Sequence, residues 1–303
     1  MNKNNSSPRK KRFGEKERFM FFLIAPAALL LFLFQVLPIG MGLNVSFRDW
    51  MLNNPKKTWI GLDHYISVLS DPVFIGKVIP NTFLFMFGSV TISLCLGLGI
   101  ALMLNRGLKG QKLFQTVLLM PLMIAPVIAA IMMRWLFNDQ FGIVNIALEA
   151  MGMEPPAWLA QQWTAFAVIL LTDVWLWTPW FCILLLAALQ SFPKEPFEAA
   201  QIDGTSRWRV FRYLTVPMLR PVIVVCVVIR MIDAFRTFDI VWTLTCGGPA
   251  RSTELFSLYA YNNAFQNLNF GRGSAAAIIG AVVIVITGAV LFRVMNRLTR
   301  QSV

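Results

Sequence analysis

Residues 78–105, VIPNTFLFMFGSVTISLCLGLGIALMLN, contain no Asp, Glu, Lys or Arg between Lys77 and Arg106. A helix rises about 1.5 Å per residue, so roughly twenty apolar residues cross the ~30 Å hydrocarbon core of a bilayer. This run is long enough to cross, and it has company on both sides. Phe19–Phe47 is a longer uncharged run, and Leu113–Met133 lies between Lys112 and Arg134. Trp163–Gln190 is interrupted only by Asp173, and Gly273–Phe292 is closed by Arg293. The run Pro221–Thr245 carries Arg230, Asp233, Arg236 and Asp239. The expected fold is therefore an all-α integral membrane protein. A six-helix transmembrane bundle, with spans at 19–47, 78–105, 113–133, 163–190, 221–245 and 273–292, fills a domain at 19–296. It follows a basic tail at 1–18.

Composition agrees with that class. Apolar residues make up 57% of the chain and charged ones 14%, against about 45–50% and about 25% in soluble domains. So few charges cannot cover a water-facing surface of this size, and the surface must face lipid. The net charge of +12 sits in short clusters between apolar runs, not in a stripe, which argues against nucleic acid as a partner. Cys95, Cys182, Cys226 and Cys246 form no CxxC pair, and His64 is the single histidine. Neither a disulfide framework nor a metal site is expected. The first apolar run is much longer than the 7–15 residues of a signal-peptide core, so it reads as a retained helix.

The basic residues set the topology. Of the 27 Lys and Arg, seven lie in the N-terminal tail, three in 106–112, five in 194–220 and three after the last span. The alternate loops 48–77, 134–162 and 246–272 hold four, one and two. Positive loops stay in the cytoplasm, so an even number of spans with both termini cytoplasmic is expected. The tail, with Arg-Lys-Lys-Arg at 9–12, suits disorder and contact with the bilayer surface. The loop 246–272, opening on Gly247-Gly248-Pro249, reads as a turn-rich outer connection.

Charges inside the apolar runs narrow the function. A charged side chain at the bilayer centre costs roughly 2.5–3.5 kcal/mol or more, so it faces protein or water. Asp173, Trp177 and Trp180 follow i, i+4, i+7 spacing, and Arg230, Asp233 and Thr237 do the same in the next span. Each set shares a helix face. Carboxylates and an Arg beside indole faces suit a polyhydroxylated ligand, whose hydroxyls donate and accept while Trp covers the C–H face of a ring. The same residues also suit a structural Asp–Arg pair between two helices, with Trp at the interface. Gly97 with Ala101, and Gly273, Ala277 and Ala281, follow small-xxx-small spacing and read as helix packing.

The cytoplasmic loop 191–220 is the most specific segment. Pro196 suits a first helical turn and Gly204 a helix stop, while Thr205 or Ser206 suits the cap of a second helix ending before Pro217. Trp208, Phe211 and Leu214 form its apolar stripe. Glu198-Ala199-Ala200, three residues, Gly204, nine residues, then Leu214-x-Val216-Pro217 resembles the EAA loop of binding-protein-dependent permeases in ATP-binding-cassette importers. Ile60-Gly61-Leu62-Asp63-His64-Tyr65, Asn81-Thr82, Leu118–Pro121 and Phe141–Asn145 resemble the maltose-type sugar permeases. So do Arg230–Val241, Gly247-Gly248-Pro249, Tyr261–Phe265 and Gly271–Ala275. His64 stands where that family has Asn. The resemblance covers roughly 15–300, and the motif order is that of the larger maltose-type permease without its extra N-terminal spans.

That resemblance implies the six-helix fold of type I importers in a bacterial cytoplasmic (inner) membrane. It also implies a second homologous permease subunit, a dimer of ATP-binding-cassette ATPases and an extracytoplasmic solute-binding protein. Glu198, Ala199, Ala200, Asp203, Gly204, Phe211 and Pro217 would couple to the ATPase, with Glu198 orienting the loop and Gly204 supplying its turn. The chain has no GxxxxGK[ST] loop, so no cofactor is expected on it, and ATP and Mg belong to the partner ATPase. Two other classes fit the intramembrane carboxylates. One is a membrane enzyme using Asp173, Asp233 and Asp239, although no His cluster or nucleophile motif accompanies them. The other is an ion-coupled transporter, although no internal repeat is visible.

Overall fold

The structure, a computed structural model, describes residues 15–53, 56–107 and 110–300. Most of the expected basic tail, including the run at 9–12, lies outside the described residues. Among the described residues five helices are long and apolar enough to cross a bilayer: Phe22–Ser46, Phe74–Leu104, Gln162–Gln190, Arg207–Phe235 and Phe270–Arg293. Gln111–Met123 and Pro126–Leu136 form a sixth span if taken together, bent by 98°. In chain order these are spans one, two, four, five and six, with the bent pair as span three.

Two spans differ from the reading by charge-free runs. Span three is not one straight helix, because Ile124 and Ala125 adopt extended backbone. Ala125 precedes Pro126, and a proline ring pushes the residue before it out of the helical region. Pro126 then opens the next helix, where its missing N–H is no loss. Span five starts at Arg207 and runs through Pro217, so the second loop helix does not end there. A π turn at Phe211–Thr215 precedes the proline, and its shifted hydrogen bonding lets the chain pass without breaking. At the other end the helix stops at Phe235, and Asp239–Thr245 forms a separate short helix. Residues 236–238 between them are not helical. Irregular backbone among apolar spans persists only where protein or a water-filled cavity satisfies it.

Spans two and four form the most extensively packed pair. Between apolar helices in lipid the hydrophobic effect gives no net attraction, so close packing and hydrogen bonds hold them. Gly97 makes that approach possible: a Cβ there would lie 2.6 Å from Phe181 Cβ and 3.0 Å from the Cys182 nitrogen. Gly99, two residues on, has no atom within 4 Å of an added Cβ. Gly97→Val is therefore expected to lower the yield of folded protein severalfold, measured by size-exclusion of a fluorescent fusion, with Gly99→Val near wild type. Equal yields for the two variants would contradict the packing. At the opposite extreme, span one has no buried residue in its most apolar stretch. It touches span six through its 37–46 half.

The loops on the expected outer side are tied together. Asp71 Oδ2 accepts from Tyr259 Oη and Arg272 Nη2, both at 2.7 Å. Burial works against the Asp71 charge, but Tyr259, the Val73 N–H and Arg272 together hold its carboxyl below the ordinary value. Glu254, almost fully buried, pairs with Arg251 and accepts from Asn262 Nδ2 at 2.9 Å. These bonds fix the connection between spans five and six over the start of span two, where Phe256 N donates to Thr82 Oγ1.

Candidate functional site

Where span five breaks, the irregular backbone lines a cleft of about 400 Å³ with Pro126, Asp173, Trp177, Arg230, Asp233, Arg236, Thr237, Phe238, Asp239 and Ile240. Of the six residues expected to share such a cavity, five meet here. Trp180 does not line it; its half-buried ring packs edge-on against Phe181, 5.1 Å between centroids. At about 100° per residue, Trp177 lies about 40° to one side of Asp173 and Trp180 about 20° to the other, so the two indoles flank Asp173 and the cleft opens on the side of Trp177. Thr237 does reach the cleft, but from the non-helical turn and not from a face shared with Arg230 and Asp233.

Asp173 and Arg230 form an ion pair with both side chains 1% exposed. Ser89 Oγ donates to the same carboxylate oxygen, so spans two, four and five meet at one carboxylate. The Arg230 guanidinium lies over Trp177, 4.5 Å from the ring centroid. The pair joins two helices, and the same residues line the cleft. Arg230 Nε is buried and has no hydrogen-bond partner among the described residues. Nearer the mouth, Arg236 Nη2 bonds Asp233 Oδ1 at 3.1 Å, both partly exposed to solvent. Ser89 escaped the sequence reading because one serine in an apolar helix carries no pattern. Arg236 and Asp239 were visible as charges, but their place at the cleft depends on the break at 236–238.

The cytoplasmic loop is built around Gly204. The helix Glu195–Ile202 ends with Gly204 at φ +63°. Thr205 N bonds Ala200 O at 3.0 Å and Gly204 N bonds Gln201 O at 3.1 Å. This pair of bonds around a left-handed residue is the Schellman termination, which glycine accommodates without a Cβ penalty. Ser206 then takes extended backbone and Arg207 opens span five. Phe197, Glu198 and Gln201 face a second cavity, about 660 Å³, shared with Asn105, Gln111, Phe192 and Thr215. Phe192 and Phe197 stack at 6.5 Å. Ala199, Asp203 and Gly204 are exposed, while Ala200, Phe211 and Pro217 are half-buried. Phe211 lies against Trp208 at 5.5 Å. Large apolar side chains nevertheless stand in the open: Ile202 is 86% exposed, Trp208 68% and Tyr213 77%.

Comparison with known proteins identifies the family. A family model described as binding-protein-dependent transport system inner membrane component matches residues 93–303. The chain is 36% identical to the trehalose/maltose transport system permease protein MalF of Thermococcus litoralis, over 93% of this chain and 94% of that one. It is 34% identical to the sulfoquinovosyl glycerol transport system permease protein SmoG of Agrobacterium fabrum, over 90% and 89%. Among solved structures, a chain of a bacterial ABC transporter involved in the import of the acidic polysaccharide alginate matches with a TM-score of 0.81. It is 26% identical and covers 95% of this chain and 96% of that one. The helical bundle, the Gly204 loop and these matches place the chain in the family of binding-protein-dependent transport system inner membrane components, the permease subunits of ATP-binding-cassette importers.

Proposed function

We propose that this chain forms half of the translocation pathway of an ATP-driven importer for a sugar or sugar derivative, in a bacterial cytoplasmic membrane. The other half is a second, homologous permease. An extracytoplasmic binding protein delivers the solute, and a paired ATPase beneath the bundle holds ATP and Mg. The sugar assignment is supported by the relatives, whose names specify trehalose/maltose, sulfoquinovosyl glycerol and lactose transport. A binding protein is supported by the alginate transporter, known in complex with an alginate pentasaccharide-bound periplasmic protein.

The observation that carries the mechanism is the unbroken helix Arg207–Phe235. It starts at the Gly204 turn and ends beside the cleft, with Arg230 and Asp233 in its last turns. At about 1.5 Å per residue it is a rod of about 40 Å. An ATPase gripping Ile202, Trp208 and Tyr213 would move that rod, and with it the charges that contact solute. Closure of the ATPase on ATP then favours one of two bundle arrangements through its greater affinity for it. Glu198 orients the loop, and Asp173, Trp177, Arg230, Asp233 and Thr237 form this chain's share of the solute path.

The test is ATP hydrolysis by the reconstituted complex of both permeases and the ATPase. Hydrolysis should rise severalfold with one sugar-loaded binding protein and stay basal with the empty one. Sugar transport by this chain alone, without an ATPase, would overturn the reading.

A further inference from the structure

We infer that the cleft selects for an uncharged sugar and rejects carboxylated or sulfonated ones, with Asp239 as the main discriminating residue; this rests on the reading that the cleft carries the solute. The related transporters serve both kinds of cargo: trehalose/maltose and lactose are neutral sugars, and alginate is an acidic polysaccharide.

The charges lining this cleft are unequal. Arg230 is neutralised by Asp173 and Arg236 by Asp233, which leaves Asp239 as a carboxylate with no ion-pair or hydrogen-bond partner among the described residues. An anionic sugar would meet a site with no uncommitted cation and one uncommitted negative charge. Like charges brought together in a binding site repel and give specificity by exclusion.

The second observation is the buried Nε–H of Arg230, which has no acceptor. This donor requires an oxygen, while Asp239 requires a donor. The hydroxyls of a sugar supply both kinds of group, because a hydroxyl oxygen accepts while its proton is donated. A carboxylate or sulfonate only accepts, so it would satisfy Arg230 and leave Asp239 opposed. The Trp177 ring, already covered on one side by the Arg230 guanidinium, adds an apolar surface against which sugar C–H groups can lie.

The test uses the complete importer in nanodiscs without its binding protein, so that the permeases alone choose. Equilibrium dialysis would compare matched radiolabelled pairs: glucose with glucuronate, galactose with galacturonate, and lactose with lactobionate. The neutral member of at least one pair should bind about tenfold or more tightly than its acid. Asp239→Lys should shrink or reverse that ratio, whereas Asp239→Asn should shrink it less. Both variants should stay folded with only a small loss of thermal stability, because Asp239 is exposed, holds no other side chain and contributes only a negative charge in the first turn of its helix. Equal or tighter binding of the acids, or an unchanged ratio in Asp239→Lys, would overturn the inference and leave the importer reading intact. Binding of neither member in all three pairs would overturn the sugar assignment and the inference with it.

Discussion

Asp173→Ala is expected to leave almost no folded protein in the membrane, while Trp177→Ala folds normally and loses most uptake. The reason lies in what each side chain holds. Asp173 is the counter-charge of Arg230, and both are 1% exposed. Removing one partner of a buried pair strands the other charge and costs about 3–5 kcal/mol, a large share of the roughly 5–15 kcal/mol that holds a domain folded. Ser89 loses its acceptor as well. Replacing both charges avoids that penalty, because well-packed apolar groups in place of a buried pair are often neutral or stabilising. The double variant Asp173→Leu/Arg230→Met should therefore recover folded yield and still fail to transport. Size-exclusion of a fluorescent fusion reports folding, and sugar uptake by cells reports function. If the double variant folds and transports at the wild-type rate, the pair is only a clamp between spans four and five, and the cleft is not the solute path.

Those two variants separate what the sequence alone left joined. Asp173, Arg230 and the indole rings stood out because charge in an apolar run is costly and therefore purposeful. Their depth in two neighbouring spans was legible from position along each run. Which side chains converge was legible only in part. Trp177 and Trp180 are both close to the helical face of Asp173, but helix packing turns one to the cleft and the other to Phe181. The break after Phe235 carries no proline or glycine to announce it, so Thr237 and Asp239 read as members of a continuous helix. The bend in span three was announced, by Pro121 and Pro126, but a count of uncharged residues is blind to backbone geometry. Pro217 misled in the opposite direction. It signals a helix end by its missing N–H, and the preceding π turn removes that consequence. The Gly204 turn was the most legible feature, because a left-handed helix termination has few chemical solutions and glycine is the commonest.

Gly204→Asp is expected to abolish uptake, by tenfold or more, in a protein that inserts and folds as before. Gly204 sits at φ +63°, and no atom of the chain lies within 4 Å of where a Cβ would be. The intrinsic cost of a side chain is then about 1–2 kcal/mol of left-handed strain, less for Asp or Asn, which tolerate this region. Gly152, on the opposite side of span four, has φ +75° and the same empty surroundings. Gly152→Asp therefore carries the same backbone penalty at a loop on the side away from the proposed ATPase, and it should transport normally. Glu198→Lys extends the comparison. Glu198 lies in the first turn of its helix, where losing a negative charge costs only about 0.3–1 kcal/mol. Strain and dipole terms of that size do not remove a protein from the membrane, so a loss of uptake in both loop variants must come from what docks there. Copurification of the ATPase should fall in parallel with uptake. Should Gly204→Asp and Gly152→Asp behave alike, the apolar exposure of Ile202, Trp208 and Tyr213 has no partner at this turn, and the rod from Arg207 to Phe235 is not driven from its cytoplasmic end.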